Sequence, residues 1–212
     1  MYIPPSFVQK DVARLHRFIE QNSFGLLLTQ NQGETEASHL PFLLEPGGEY
    51  GVLIGHLARA NPQWRQAQTE QAEAGRALAI FSGPHAYISP TWYEAPKTVP
   101  TWNYTAVHAS GPIEWIHDPA ALLPLLEQTV RQYETGMPRP WSIGEVDSFI
   151  EQMLAHIVGF RIEITSLEGK WKLNQNQPIE RRKKVIRALR EQQDENSQAV
   201  ASLMQDTLPA ED

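Results

Sequence analysis

The 212-residue chain contains no cysteine. That absence excludes a disulfide framework, a thiolate nucleophile and any zinc or iron–sulfur site built on sulfur ligands, and it leaves the redox compartment undetermined. Long apolar runs are missing as well. The opening MYIPPSFVQK holds two prolines and no hydrophobic stretch, so it reads as neither a signal peptide nor an anchor, and no later stretch is long enough to span a bilayer. The expectation is a cytoplasmic protein without membrane contact. An excess of positive charge is also lacking. The formal net charge of -7 disfavours a protein that coats nucleic acid or an anionic membrane by bulk electrostatics. The seven histidines form no HxH or HExxH pair, and no serine sits in a Gly-x-Ser-x-Gly setting. Neither a dedicated metal site nor nucleophilic hydrolysis is expected.

What remains is enough for one barrel-sized domain, since a hydrophobic content of 41% is ordinary for a soluble globule. Val12, Leu15, Phe18 and Ile19 recur at helical spacing and predict a helix over 10–22. The period then shortens to that of strands, expected at Phe24–Thr29, Glu36–Leu44, Tyr50–His56 and Arg76–Ser82, with Asn31-Gln32-Gly33 and Pro46-Gly47-Gly48 as turns. Asn61-Pro62 predicts a helix start running to about Thr69, because Asn caps well and Pro is tolerated at the first helical position. Residues 83–101 read as a long ordered loop. Trp102–Gly111 and Ile113–Ile116 continue the sheet, helices follow over Asp118–Thr135 and Gly144–His156, and Val158–Glu168 is expected as the last strand. Pro178–Gln193 reads as a basic amphipathic helix. Meander strands with helices that do not alternate in the βαβ manner favour an α+β class and a small antiparallel barrel.

Several segments could carry chemistry. In Gly55–Trp64, GHLARANPQW, a helix start with unpaired N–H groups follows Arg59, a fork donor, which suits an anion; a capped turn with a surface arginine is the plain alternative. The proline in ASHLPF, Ala37–Phe42, demotes that stretch to a sheet edge or turns it toward something other than a strand. In Pro100–Gly111, Trp102, Tyr104, Ala106 and His108 alternate with Asn103, Thr105, Val107 and Ala109. That face suits a planar heteroaromatic ring, or a plain core or interface. Eight of the eighteen basic residues fall between Lys170 and Arg190, so the stretch Arg181–Arg190 is either a solvated amphipathic face or a DNA contact.

Taken together, MYIPPSF, ASHLPF, GHLARANPQW, FSGPHAYISPTWY, VPTWNYTAVHASG and IVGFRIEITSLEGKWKLNQN resemble the PaiB-type FMN-binding proteins, described as negative transcriptional regulators. The resemblance implies a split β-barrel like that of pyridoxamine phosphate oxidases, a homodimer, and FMN at the subunit interface. By position it implies phosphate contacts from His56, Leu57, Ala58, Arg59 and Asn61, with Ser38, His39 and Leu40 along the isoalloxazine. The second subunit would close the pocket with Trp102, Asn103, Tyr104 and His108, together with Lys172, Gln175 and Asn176. Asn174 and Gln177 depart from the serine and basic residue of the family's closing motif. The expected organisation is a split-barrel domain over 1–177 with a helical insertion at 118–157, a basic helix at 178–193 and a polar, partly disordered tail at 194–212. An FMN-dependent oxidoreductase is the alternative function, and a haem-binding barrel with His39 or His108 as axial ligand is a third.

Overall fold

The structure, a computed structural model, describes residues 1–31, 33–66, 75–144 and 148–209. In chain order the elements are β1 (Val8–Gln9), α1 (Val12–Gln21), β2 (Phe24–Asn31), β3 (Glu34–Pro41), β4 (Leu43–Glu45), β5 (Val52–Ala58), α2 (Gln63–Gln66), β6 (Arg76–Ile88) and β7 (Thr101–Ile116). They continue with α3 (Pro119–Glu134), α4 (Ser148–Ala155), β8 (Ile157–Glu163), β9 (Ser166–Lys172), α5 (Ile179–Glu191) and α6 (Glu195–Gln205). The class is α+β with an antiparallel sheet. Two compact units divide the chain: unit I comprises Met1–Phe18, Ser82–Val107 and Glu168–Asp212, and unit II comprises Ile19–Phe81 and His108–Leu167.

In unit II the strand order is β3-β2-β6-β7-β8-β5-β4. The β2–β3 hairpin pairs Phe24 with Pro41 through Asn31 with Glu34, and β3 lies at the end of the order, as the proline in ASHLPF predicts. Strand β5 runs against β8 from Val52↔Glu163 to Ala58↔Ile157. The core forms where Phe42 meets Phe81 edge-on at 5.2 Å and Phe160 at 5.5 Å. Burying each such ring contributes roughly 1.5–3 kcal/mol. Helix α3 starts as the sequence predicts, with Pro119 in its first turn and the Asp118 carboxylate accepting from Ala120 N–H at 3.0 Å. Its buried Leu125 packs with Leu43, Val52 and Ile54.

In unit I β1 pairs with β9, Val8 opposite Lys170, and Phe18 tilts against Trp171 at 5.0 Å. Helices α5 and α6 bury Val185, Ile186 and Leu189 of one and Val200, Ala201 and Met204 of the other.

Five expectations need correction. The strand expected at Glu36–Leu44 is two, β3 and β4, parted at the buried Phe42 and paired with β2 and β5 respectively. The ordered stretch over 83–101 is in large part regular structure and not loop: β6 continues to Ile88, and a 3-10 turn, Pro90–Tyr93, follows with Ser89 as its cap. Pro84 is tolerated because β2 pairs with β6 only over Ala77–Ile80, so the later half of β6 lacks that neighbour. The last strand is two, β8 and β9, broken at Ile164-Thr165, whose amides bond Gly51 and Ser110 carbonyls instead. Trp102–Gly111 and Ile113–Ile116 are one strand, β7. Within the polar tail, α6 is a capped helix, with the Asp194 carboxylate accepting from Ser197 N–H at 2.8 Å. The expected helix residues 67–69 and 145–147 lie outside the described residues.

Candidate functional site

Unit II holds the segment on which the anion argument rests. Strand β5 delivers His56, Leu57 and Ala58, and the chain leaves it at Arg59. On one side β8 pairs with all of β5, whereas β4 covers only Val52–Ile54 on the other. Among the described residues no strand therefore pairs with 55–58 along that second edge, which leaves main-chain groups beside an exposed Ala58 and a half-buried His56. The His56 Nδ1 is buried without a hydrogen-bond partner among the described residues, and burial holds the ring below the ordinary histidine value of 6.5. Its imidazole is neutral at pH 7.

Arg59 is more committed than the sequence suggests. Its Nε donates to the Ala155 carbonyl at 2.7 Å and one Nη to the Ile157 carbonyl at 2.8 Å, while its amide donates to His156 at 2.8 Å. The Ala155 carbonyl ends α4, where a helix leaves acceptors unsatisfied and favours a cation, and the Ile157 carbonyl opens β8. The guanidinium has five N–H donors, so it caps α4 and retains donors for an anion.

The expected helix start is a network. Over the described residues α2 is a single turn, and its first amide, Gln63 N–H, is taken by the Asn61 side chain at 2.9 Å. Asn61 Nδ2 donates to Ser38 Oγ at 2.8 Å, and that hydroxyl donates to Gln63 Oε1 at 2.6 Å. Gln63, only 1% exposed, donates onward to the carbonyls of Leu27 and Glu36 and to the Thr29 hydroxyl. Sequence reasoning missed Gln63. Its signal was an amide two residues after Asn61, within reach of the Asx cap. The network joins Ser38 to Asn61. His39 is exposed and stacks on Phe24 at 6.3 Å, and Leu40 and His108 are half-buried.

Unit I holds the other predicted residues. Trp102 is 53% exposed on β7, with Tyr87 edge-on at 5.9 Å and His85 tilted at 6.2 Å. Tyr104, half-buried on the same strand, lies under the Lys170 ammonium at 5.1 Å. Asn103 is fully buried, donating to Met204 Sδ at 3.3 Å. Lys172 donates to the Thr101 hydroxyl and the Trp102 carbonyl, and its ammonium is pushed below the usual lysine range by burial and then by Lys170. Gln175 clips its own loop, accepting from Leu173 N–H at 2.8 Å and donating to the Trp171 carbonyl at 2.7 Å. Asn176 is exposed.

A family model described as "Putative FMN-binding domain" matches residues 1–166. The chain belongs to this family. A Bacillus subtilis protein named "Protease synthase and sporulation protein PAI 2" is 34% identical over 209 residues, 98% of each chain. Among solved structures, a flavocytochrome from Azotobacter vinelandii aligns with a TM-score of 0.58 at 13% identity, covering 78% of this chain and 69% of its own. A FAD- and haem-binding protein from Mycobacterium smegmatis gives 0.56 at 15%, covering 78% and 73%. At these identities the structures share the fold alone. The protein is PaiB-like, and FMN is the cofactor that family membership assigns to it. The donor set of unit II fits such a group: a guanidinium with N–H groups to spare, a half-edge of β5 without a strand partner, and a neutral histidine. No group of three or more His, Asp or Glu side chains suited to a metal occurs among the described residues.

Proposed function

We propose that the protein is an FMN-binding homodimer that acts as a regulator, flavin occupancy or redox state altering a surface read by DNA. The observation that carries the flavin part is the half-edge of β5 beside Arg59 that no strand pairs with among the described residues, within the residues matched by the family. Arg59 would hold the phosphate with the N–H groups not spent on α4, and main-chain groups of His56–Ala58 would line its approach. Ser38 and Asn61 fix β3 against the start of α2, so Ser38, His39 and Leu40 of β3 can border a flat ring. Trp102, Tyr104 and His108, contributed by the second subunit, would complete the pocket by stacking and edge contacts. Bound FMN supplies electron-transfer chemistry that no side chain of this protein has.

The DNA surface we assign to α5. Lys183, Arg187 and Arg190 are exposed at helical spacing on one face, while Arg182 is buried and bonded to Thr207 and Lys184 pairs with Glu94 at 2.7 Å. A gel shift on the control region of the protein's own gene tests this reading. The expected result is a complex that weakens steeply with salt, and no shift at low salt would remove direct DNA binding.

The second reading is an FMN-dependent oxidoreductase, favoured by the exposed aromatic cluster of Trp102, Tyr87 and His85, on which a nicotinamide could stack. It predicts that NADH or NADPH bleaches the flavin and an acceptor restores it at a catalytic rate; no turnover across a panel of acceptors would count against it.

A further inference from the structure

Unit I contains a cavity of about 230 Å³ bordered by Lys97, Lys172 and Arg181 together with Thr98, Asn174 and Asn176. Three cations meet there, and among the described residues no Asp or Glu lines it. Such a concentration of like charge is unfavourable unless something negative offsets it. The Lys172 ammonium bears this most directly, because burial and Lys170 both disfavour its charged form. The acids nearby in sequence do not serve the cavity's lining: Glu94 is drawn to Lys184, at 2.7 Å.

The cavity is also smaller than the roughly 300–1,000 Å³ of pockets that enclose a drug-sized ligand, so it suits a compact head group and not a tricyclic ring. Its walls carry the donors that such a group needs. Arg181 offers a fork held loosely by Gln177 at 3.3 Å, Lys172 retains an N–H beyond the two it gives to Thr101 and Trp102, and hydroxyls and amides fill the gaps. The 13-residue α5 begins at the rim with no side-chain cap on its first turn, which adds positive potential to a site already built by side chains. Two of the three non-glycine residues with left-handed backbone, Lys97 at φ 56° and Asn174 at φ 63°, stand in this wall. Asn174 is pinned there by donating to the Tyr93 hydroxyl at 3.0 Å. Strained backbone of this kind persists where surrounding structure enforces it, and it gathers at ligand sites.

We propose that this cavity is a phosphate site, separate from the flavin, that binds a small phosphomonoester through Lys97, Lys172 and Arg181; this takes Lys172 and Asn176, which the family resemblance gives to the flavin pocket, out of that pocket. The site would let the protein sense or act on a phosphorylated metabolite, with Asn176 and Thr98 contacting the remainder of the molecule at the open side.

The test is calorimetric titration of the full-length protein with inorganic phosphate and with glycerol phosphate, each with and without saturating FMN. The expected result is one saturable site per chain whose affinity does not depend on FMN, with glycerol phosphate binding at least as tightly as phosphate. Arg181→Gln and Lys97→Asn should each weaken binding about tenfold, the loss of one charge-assisted contact, while flavin content and the circular dichroism spectrum stay unchanged. Asn at position 97 tolerates the left-handed backbone, so that variant tests the charge without disturbing the turn. Competition between phosphate and FMN would assign the cavity to the flavin and overturn the proposal. Absence of saturable binding, or binding indifferent to both substitutions in folded protein, would overturn it as well.

Discussion

Arg59 has a structural task beside the phosphate contact proposed for it. Its bonds to the carbonyls of Ala155 and Ile157 tie the last residue of α4 to the first of β8, so removing it leaves both acceptors without that donor. Arg59→Ala is expected to lower unfolding free energy by about 1–3 kcal/mol in urea titration and to lose flavin at denaturant concentrations where the protein is still folded. Retained stoichiometric flavin in the folded variant would move the phosphate elsewhere. His56 sets a pH dependence whose sign follows from its burial. Because its folded value lies below 6.5, the unfolded chain takes up the proton first as pH falls. Stability is therefore full above the unfolded value and declines as pH drops from about 6.5 toward the folded value. His56→Phe should flatten that decline in melting temperatures measured between pH 7.5 and 5. An unchanged slope would mean that other groups carry it.

At the scale of elements, the parts that could be read from sequence were those whose signal is local. Asp118-Pro119 announces α3, the apolar spacing of Val12, Leu15, Phe18 and Ile19 announces α1, and the proline of ASHLPF places β3 at an edge. Misreadings arose where tertiary contacts override local chemistry. Gly83-Pro84 looks like a turn, yet a side chain at Gly83 would strike Phe18 and the Thr105 hydroxyl, so the glycine is there for close packing within a continuing strand. Helix α6 was hidden because its apolar residues, Ala199 to Met204, sit within a tail rich in Gln, Asp, Glu and Ser, although Asp194 with Ser197 forms a recognisable cap. Its stability comes from Val200, Ala201 and Met204 against α5, not from propensity. Val200→Asp should accordingly destabilise unit I by several kcal/mol, on the order of the penalty for an unpaired buried charge. Thermal unfolding followed by circular dichroism would reveal it, and a melting temperature within error of wild type would show that α6 is dispensable.

For the whole molecule, sequence blocks gave the cofactor by resemblance, and the family match over residues 1–166 supports the same identity. Physical reading alone gave an anion site and an aromatic strand but no flavin, because nothing in residue spacing distinguishes one planar anion from another. The structure also changed what the candidate residues do: Asn61 and Ser38 brace Gln63, Gln175 clips its loop, and Asn103 is buried against Met204. These bonds are structural roles that residue spacing alone did not reveal. Mass spectrometry of the small molecule released from the protein as isolated, combined with its absorbance spectrum before release, tests the central claim most directly. The account predicts a flavin spectrum and FMN at close to one per chain, restored on adding FMN to stripped protein. A Soret band, or stripped protein that takes up no FMN at micromolar concentration, would contradict it.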